Sequence, residues 1–192
     1  MFVVRGIEVM SNESTMTIET DGCRVWRNKR GQWHRLDGPA IERADGTKEW
    51  YQKDQRHRLD GPAVECADGT KYWYQKDQRH RLDGPAIERA DGTKEWYQKD
   101  QLHRLDGPAI EYANGTKAWW TEGQRHRLDG PAVECADGTK EWYIKGKRCC
   151  AVVCFREGQT TKKQYVETYA QAYEMMCENL RNEVCSWCEE LK

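Results

Sequence analysis

Apolar and polar residues along the chain follow a 23-residue period. The string HRLDGPA begins at His34 and returns at His57, His80, His103 and His126. Each copy continues as (I/V)-E-x-A-(D/N)-G-T-K-x-W-(Y/W). A fixed period of this length is typical of repeat proteins, in which each unit buries its apolar face against the next. The pattern therefore predicts five stacked units over residues 34–148.

Each unit is predicted to form a β-hairpin. Residues 40–43 read as a short strand, Ala44-Asp45-Gly46 as a turn, and residues 47–52 as a return strand rich in β-forming residues. Residues 53–55 read as part of the connection to the next unit. Because side chains alternate along a strand, Trp50 and Tyr51 are expected on opposite faces.

The ends of the chain depart from the repeat. Residues 1–33 are predicted to form an N-terminal strand and a degenerate capping half-repeat, and residues 149–158 a terminal capping strand. Residues 159–192 are predicted to form a long amphipathic helix. Its apolar residues recur at helical spacing: Tyr165, Tyr169, Tyr173, Met176, Leu180, Val184, Trp187 and Leu191. The helix would cap the array, cover part of the sheet, or pair two copies into a homodimer. The expected fold is mainly β, a single-sheet hairpin solenoid with a C-terminal helix.

The charge balance excludes some classes of partner. The chain has 31 Lys and Arg against 32 Asp and Glu, and residues 34–148 hold 21 of each sign. An array without net charge does not favour nucleic acid binding, which requires an uncompensated basic stripe. The chain has no apolar run of about 18 residues, the length that a membrane-spanning helix requires, so we expect no membrane span. Arg5 and Glu8 interrupt the apolar residues at the start of the chain, which makes them a poor secretory signal. We therefore expect a cytoplasmic protein with reduced cysteines.

Two groups of residues resemble chemical sites but fit a structural role better. His34 and Asp37 recur as five equivalent pairs, whereas catalysis requires one distinct constellation, so we expect a hydrogen bond that stabilises a turn and no enzymatic activity. Cys185-x-x-Cys188 together with Cys149-Cys150 would supply four thiols for zinc. The first pair lies in the predicted helix, whereas zinc ligands usually lie in turns. Packed thiols without metal or cofactor are therefore expected.

Arginine and histidine also recur as triplets at one edge of the predicted array. A row of guanidinium groups suits a nucleotide, phosphate groups, anionic lipid heads or an acidic protein. Neutralisation by neighbouring aspartates is the competing interpretation. The candidate residues are Arg56, His57, Arg58, Arg79, His80, Arg81, Arg125, His126 and Arg127.

Differences between the copies indicate a second candidate surface. The fourth copy departs most, with an additional tryptophan and a neighbouring alanine and tyrosine, which together could form an aromatic hot spot for a partner protein. Neutral drift in one repeat is the competing interpretation. The candidate residues, with two tryptophans outside the repeated ladder, are Tyr112, Trp119, Trp120, Thr121, Trp33 and Trp187.

The 23-residue unit resembles the MORN repeat, and more closely its variant in bacterial antitoxin-like proteins, phages and large DNA viruses. The matching segments are Asp-Gly-Thr-Lys-x-Trp-Tyr at residues 45–51 and His-Arg-x-Asp-Gly-Pro-Ala at residues 34–40. The resemblance covers residues 34–148. It implies a β-hairpin platform that binds, inhibits or scaffolds another protein, such as an antitoxin-type or counter-defence factor. A nucleotide or phosphate binder is the alternative, and an anionic-membrane adaptor is the third.

Overall fold

The described part of the chain consists of short antiparallel strands in two compact units. A computed structural model describes residues 14–149, 151–157 and 160–166, and the units are Met1–Ala90 and Asp91–Lys192. The N-terminal hairpin is β1 (Thr15–Ile18) and β2 (Arg24–Arg27). Each repeat then contributes four strands. They are β3 (Ile41–Glu42), β4 (Lys48–Glu49), β5 (Tyr51–Gln52) and β6 (Gln55–Arg56); β7 (Val64–Glu65), β8 (Lys71–Tyr72), β9 (Tyr74–Gln75) and β10 (Gln78–Arg79); β11 (Ile87–Glu88), β12 (Lys94–Glu95), β13 (Tyr97–Gln98) and β14 (Gln101–Leu102); β15 (Ile110–Glu111), β16 (Lys117–Ala118), β17 (Trp120–Thr121) and β18 (Gln124–Arg125); β19 (Val133–Glu134), β20 (Lys140–Glu141), β21 (Tyr143–Ile144) and β22 (Lys147–Arg148).

The first two strands of each repeat form the main sheet. In the first unit the strand order is β1-β2-β3-β4-β7-β8-β11, and in the second unit it is β12-β15-β16-β19-β20. Ile41 lies opposite Glu49 within one repeat, and Lys48 lies opposite Glu65 of the next. Each repeat therefore adds two strands to the sheet. The predicted repeat of antiparallel hairpins is confirmed.

The single return strand predicted for residues 47–52 is wrong. The chain switches partners at Trp50, whose N–H donates to the Ala63 carbonyl at 2.8 Å while its own carbonyl accepts from His57 N–H at 3.0 Å. Lys48–Glu49 stays in the main sheet, and Tyr51–Gln52 pairs with Gln55–Arg56 in a separate two-stranded hairpin. The residues assigned to a connection thus contain a strand, and Trp50 and Tyr51 do not share one.

The second hairpin closes through a two-residue turn with unusual backbone angles. Lys53 and Asp54 have φ values of 52° and 63°, as a type I′ turn requires at both central positions. Asp54 is held there because its N–H donates to the Trp33 carbonyl at 3.0 Å and its Oδ1 accepts from Trp33 N–H at 2.8 Å. An aspartate thus replaces the more usual glycine, while Gly123 and Gly146 occupy the same position in the last two copies.

The buried apolar side chains of the described residues are mostly small or β-branched, with Tyr51 and Tyr97 as the larger members. The alanine that ends HRLDGPA is completely buried in every repeat, and the Ile or Val that follows is also buried. These residues are Ala40, Ile41, Ala63, Val64, Ala86, Ile87, Ala109, Ile110, Ala132 and Val133. Because an alanine fits where two backbones approach closely, this position fixes the distance between neighbouring strands.

The C-terminal segment begins as a hairpin. Strands β23 (Ala151–Glu157) and β24 (Thr160–Val166) pair from Ala151 opposite Val166 to Glu157 opposite Thr160. The helix predicted for residues 159–192 therefore does not start at its predicted N-terminal end, where the β-branched residues Thr160, Thr161 and Val166 favour a strand. The remainder of that prediction, residues 167–192, lies outside the described residues. The described segments contain no helix with the length and apolar character needed to cross a membrane.

Candidate binding surfaces

The arginine of HRLDGPA is fixed against a tryptophan in every repeat. The Cζ atom of Arg58 lies 4.1 Å from the centre of the Trp50 ring, and its Nε donates to Asp60 Oδ1 at 3.0 Å. Its Nη1 donates to the Pro62 carbonyl at 3.2 Å and to Glu65 Oε1 at 3.1 Å. We call this arrangement the Arg–Trp clasp. The equivalent pairs are Arg35 with Trp26, Arg81 with Trp73, Arg104 with Trp96 and Arg127 with Trp119.

The clasp explains the invariant glycine of the motif. A Cβ atom on Gly61 would lie 2.9 Å from Cζ of Arg58, closer than carbon atoms can approach. The same short distance occurs at Gly38, Gly84, Gly107 and Gly130. A side chain at this position would push the guanidinium off the tryptophan.

The clasp leaves its aspartate charged and exposed. The hydrogen bond from the Arg58 side chain lowers the pKa of Asp60 below its usual value, so this carboxylate is ionised at neutral pH. The Asp60 side chain is 83% exposed, whereas that of Arg58 is 22% exposed. The surface around each clasp therefore presents negative rather than positive charge.

The two arginines on either side of His57 have separate roles. Arg56 donates from Nε to Asp77 Oδ1 at 2.6 Å, and its Cζ lies 3.9 Å from the centre of the Tyr74 ring. His57 accepts the Lys76 N–H through Nδ1 at 3.2 Å, and Arg58 belongs to its clasp. In the second unit His126 accepts the Lys145 N–H in the same way. Arg79 and His80 are engaged as well.

The recurring His and Asp side chains form hydrogen bonds with different groups. His34 Nδ1 accepts the Lys53 N–H of the type I′ turn at 3.3 Å, and Asp37 Oδ1 accepts from Arg35 Nε at 3.1 Å. Burial lowers the pKa of His34 below its usual value, which keeps the imidazole neutral and able to accept. The histidine stabilises a turn as expected, whereas the aspartate supports the clasp.

Three polar side chains of the first repeat meet at Glu49, and of these Glu49 and Tyr51 are buried whereas Arg43 is exposed. Glu49 is buried and accepts from Arg43 Nε at 2.7 Å and from the Tyr51 hydroxyl at 3.0 Å. Burial and the neighbouring Glu49 carboxylate raise the pKa of Tyr51 to about 12. Glu49 therefore links Arg43 and Tyr51 in the first repeat, whereas the fifth repeat keeps the Tyr143–Glu141 hydrogen bond with Cys135 at the position of Arg43.

The fourth repeat replaces this triad with Tyr112, Ala118 and Trp120. Ala118 is buried in a cluster with Ile110 and Val133, and Trp120 packs against that cluster. The large indole fills the room left by the small alanine. Part of the departure of the fourth repeat therefore lies in packing, since Ala118 is buried and the partly buried Trp120 packs against the same cluster.

The remaining predicted partner residues lie in different settings. Tyr112 is 43% exposed, Thr121 is half-buried in β17, and the Trp119 ring is covered by the Arg127 guanidinium at 4.0 Å. Trp33 belongs to the first unit, where its ring centre lies 5.2 Å from that of Tyr51. Trp187 lies outside the described residues.

Arg125 lacks the carboxylate that its counterpart Arg56 has. Gly146 stands at the turn position that Asp77 occupies next to Arg56, and the Arg125 guanidinium lies between Trp120 and Tyr143, 5.3 and 5.1 Å from their ring centres. Its Nη1 donates to the Tyr143 hydroxyl at 3.3 Å. Among the described residues, its Nε and the indole nitrogen of Trp120 are buried and have no hydrogen-bond partner.

Sequence reasoning missed the exposed leucine of HRLDGPA. In the first unit Leu36, Leu59 and Leu82 are 41%, 76% and 76% exposed, and in the second unit Leu105 and Leu128 are 81% and 63% exposed. An apolar residue in an invariant motif suggests the core, but the adjoining Arg and Asp-Gly-Pro indicate a turn at the surface. We call residues 34–40 and their equivalents the leucine loops.

A cavity of about 570 Å³ lies between the first two leucine loops. Leu36, Pro39 and Leu59 contribute apolar surface to its lining, and the carboxylates of Asp37 and Asp60 also line it. Those two aspartate side chains are 64% and 83% exposed. Arg35 and Arg58 line it too, and each is hydrogen-bonded to its neighbouring aspartate, so the cavity combines apolar walls with paired charges of both signs.

The described residues provide no evidence for a metal centre. Within them no group of three or more His, Cys, Asp or Glu side chains is placed to hold an ion. Cys23 is buried, and Cys66, Cys135 and Cys149 are partly exposed thiols. Of the four cysteines considered for zinc, Cys150, Cys185 and Cys188 lie outside the described residues.

Comparison with known proteins gives no assignment. The chain matches no protein-family model, and a search of curated proteins likewise finds no match.

Proposed function

We propose that the chain is a non-enzymatic MORN-type repeat platform that binds another protein through its leucine loops. One observation carries the proposal: every copy presents its leucine to solvent. Leu59 and Leu82 contribute little to the core at 76% exposure, so folding alone gives no reason to retain an apolar residue there. Single exposed leucines are common on protein surfaces, but Leu36, Pro39 and Leu59 line one cavity, and joined apolar surface of this kind marks an interaction site. The resemblance extends the proposal to inhibition or scaffolding of a host protein in the cytoplasm, as an antitoxin-type or counter-defence factor.

The arginines support a protein partner over a phosphate ligand, nucleic acid or an anionic membrane. Each clasp arginine of repeats two to five has an aspartate and a glutamate within 3.2 Å and a tryptophan against its planar face. A guanidinium engaged in this way has little capacity left for a phosphate group.

Replacing two leucines with serine tests the proposal. The partner is captured from the native host and identified by mass spectrometry. We expect Leu59→Ser/Leu82→Ser to lower the affinity for this partner by about 10-fold or more, which corresponds to about 1.4 kcal/mol or more of binding free energy. The affinity is measured by calorimetry with the purified pair. Because both leucines are exposed, the melting temperature should remain that of the wild type.

The matched control is Lys48→Ser/Lys71→Ser, which changes two exposed residues of the main sheet in the same unit. The proposal predicts that this control binds like the wild type. Full affinity in the leucine variant would refute it.

An anion site is the second candidate, and Arg125 is the observation that favours it. A ligand oxyanion would take the place that the Asp77 carboxylate has next to Arg56, drawing the guanidinium away from Tyr143. A Cβ atom at Gly146 would meet only the Gln124 side chain, at 3.8 Å. The φ of 78° strains any residue other than glycine, but Asp77 occupies the equivalent turn position at a φ of 65°.

Gly146→Asp tests this candidate. We expect the free energy of unfolding to stay within about 1 kcal/mol of the wild type, because the restored carboxylate for a buried donor offsets the cost of a side chain at positive φ. The variant should also abolish any rise in melting temperature that inorganic phosphate causes in the wild type. Gly123→Asp is the control, because Leu102 lies opposite that turn. Equal phosphate responses in all three proteins would exclude the site.

A further inference from the structure

We propose that acid detaches the leucine loops from the two-residue turns and weakens partner binding, because protonation of His34, His57, His103 and His126 removes the hydrogen bonds that join them. The effect on partner binding rests on the proposed function, whereas the effect on the free chain does not.

Each of these histidines is the first residue of a leucine loop, and its ring accepts a hydrogen bond from a turn. In the first unit His34 Nδ1 accepts the Lys53 N–H at 3.3 Å, and His57 Nδ1 accepts the Lys76 N–H at 3.2 Å. The second unit forms the same bond at 3.2 Å in two pairs, His103 with Glu122 and His126 with Lys145. The ring therefore fixes the start of the loop against the turn.

Protonation removes this bond because Nδ1 accepts through its lone pair. The imidazolium ring carries a proton on both nitrogens and only donates, so its Nδ1–H and the Lys53 N–H would point at each other. Lys53 and Lys76 also have φ values of 52° and 50°, where the side chain of an L-residue conflicts with the backbone. The turn therefore loses one of the hydrogen bonds that hold it in a strained conformation.

The first repeat shows the direction of the pH dependence. Burial and the Lys53 ammonium, in that order, lower the pKa of His34 below its usual value of 6.5. The unfolded chain therefore takes up this proton at a higher pH than the folded chain does. The contribution of His34 to the free energy of unfolding is complete above about pH 6.5 and is lost as the pH falls from there toward the folded-state pKa.

The charged groups around the first bond do not favour an imidazolium. In the turn, Asp54 Oδ1 accepts from Trp33 N–H at 2.8 Å. In the loop, Asp37 pairs with Arg35 at 3.1 Å. Both carboxylates are thus engaged with other groups, and Lys53 is itself a cation.

The second repeat has the same arrangement. Its carboxylates are paired at 2.6 and 3.0 Å, Asp77 with Arg56 and Asp60 with Arg58. Arg35 and Asp37, which are paired with each other, line the cavity together with His57. Lys76 is again a cation, whereas Glu122 takes its place in the fourth repeat, so the test uses the first two repeats.

The variant His34→Asn/His57→Asn tests the proposal on the free full-length chain. Asparagine Oδ1 lies as many bonds from the backbone as histidine Nδ1 and accepts a hydrogen bond without titrating. Between about pH 7.5 and about pH 5, we expect the melting temperature of the wild type to fall about 5 °C more than that of the variant, since the wild type alone loses two hydrogen bonds. An equal fall in both proteins would overturn the inference.

The matched control is His34→Gln/His57→Gln, whose amide lies one bond too far from the backbone. It should melt below the wild type at about pH 7.5, because it lacks both bonds already at neutral pH. Melting temperatures equal to those of the wild type at both pH values would also contradict the inference.

NMR of the wild-type rings is an independent measurement. With isotopically labelled histidine, His34 and His57 should carry their proton on Nε2 at about pH 7.5. The amide signals of Lys53 and Lys76 should then shift in step with protonation of the rings. A proton on Nδ1 at neutral pH, or amide signals that do not follow the titration, would overturn the inference.

The captured partner tests the effect on binding. We expect the affinity of the wild type to fall about 10-fold between about pH 7.5 and about pH 5, and that of the asparagine variant to fall about 3-fold or less. Equal falls would overturn the effect on binding. If Leu59→Ser/Leu82→Ser keeps full affinity, the proposed function fails, and the melting temperatures and ring protonation of the free chain still decide whether acid breaks these bonds.

Discussion

Replacing Arg58 with alanine should lower the free energy of unfolding by about 3 kcal/mol, the largest effect we expect from a single change. The side chain covers the Trp50 ring at 4.1 Å and donates to two carboxylates and the Pro62 carbonyl. Its removal exposes the tryptophan and leaves a half-buried carbonyl without its donor. Urea denaturation followed by tryptophan fluorescence measures the loss.

Arg56→Ala is the matched control, because the two arginines are separated only by His57. Arg56 has one carboxylate partner, Asp77, and one ring, Tyr74, so its loss should cost about 1 kcal/mol. Arg58→Lys should not rescue the loss, since an ammonium lacks the planar fork that stacks and pairs at once. Equal costs for Arg56→Ala and Arg58→Ala would contradict the clasp.

Trp120→Ala should lower the free energy of unfolding by about 2 kcal/mol, the second largest effect. The indole packs against Ile110, Ala118 and Val133, and no other side chain in this repeat fills that volume after truncation. Thermal or urea unfolding measures the change. Loss of partner binding in this variant would therefore not by itself identify Trp120 as a contact residue, because the variant is also destabilised.

Tyr112→Ala is the comparison within the same triad. Tyr112 is 43% exposed, and its truncation should change the free energy of unfolding by about 0.5 kcal/mol or less. If Trp120→Ala is as mild as Tyr112→Ala and abolishes binding, Trp120 is a contact residue and its assignment to the core is wrong.

The sequence predicts the hairpin repeat because turn and strand signals recur in register. It does not predict the break at Trp50. Residues 47–52 form one run of β-forming residues, and local propensity cannot reveal that Trp50 N–H bonds to Ala63 O of the next repeat. Such a partner switch depends on how successive units stack, which is tertiary information.

The candidate sites could be predicted only in part. Arg58 and Trp50 recur in every copy but lie eight residues apart and on different elements, so their stacking is not visible in the sequence. Glu49 and Ala118 occupy the same repeat position, and variation there between copies suggested an exposed surface. Both side chains are nevertheless buried. In the fourth repeat Ala118 and Trp120 adjoin one buried cluster, whereas the exposed Leu59 is the same residue in every copy.

The most direct test of the account is methyl NMR of the leucines in the complex with the captured partner. With leucine methyl groups labelled, binding should shift or broaden the signals of Leu36, Leu59 and Leu82 and leave that of Leu102, half-buried at a hairpin edge, unchanged. The account is contradicted if the partner binds while the three exposed leucines keep their free-state signals.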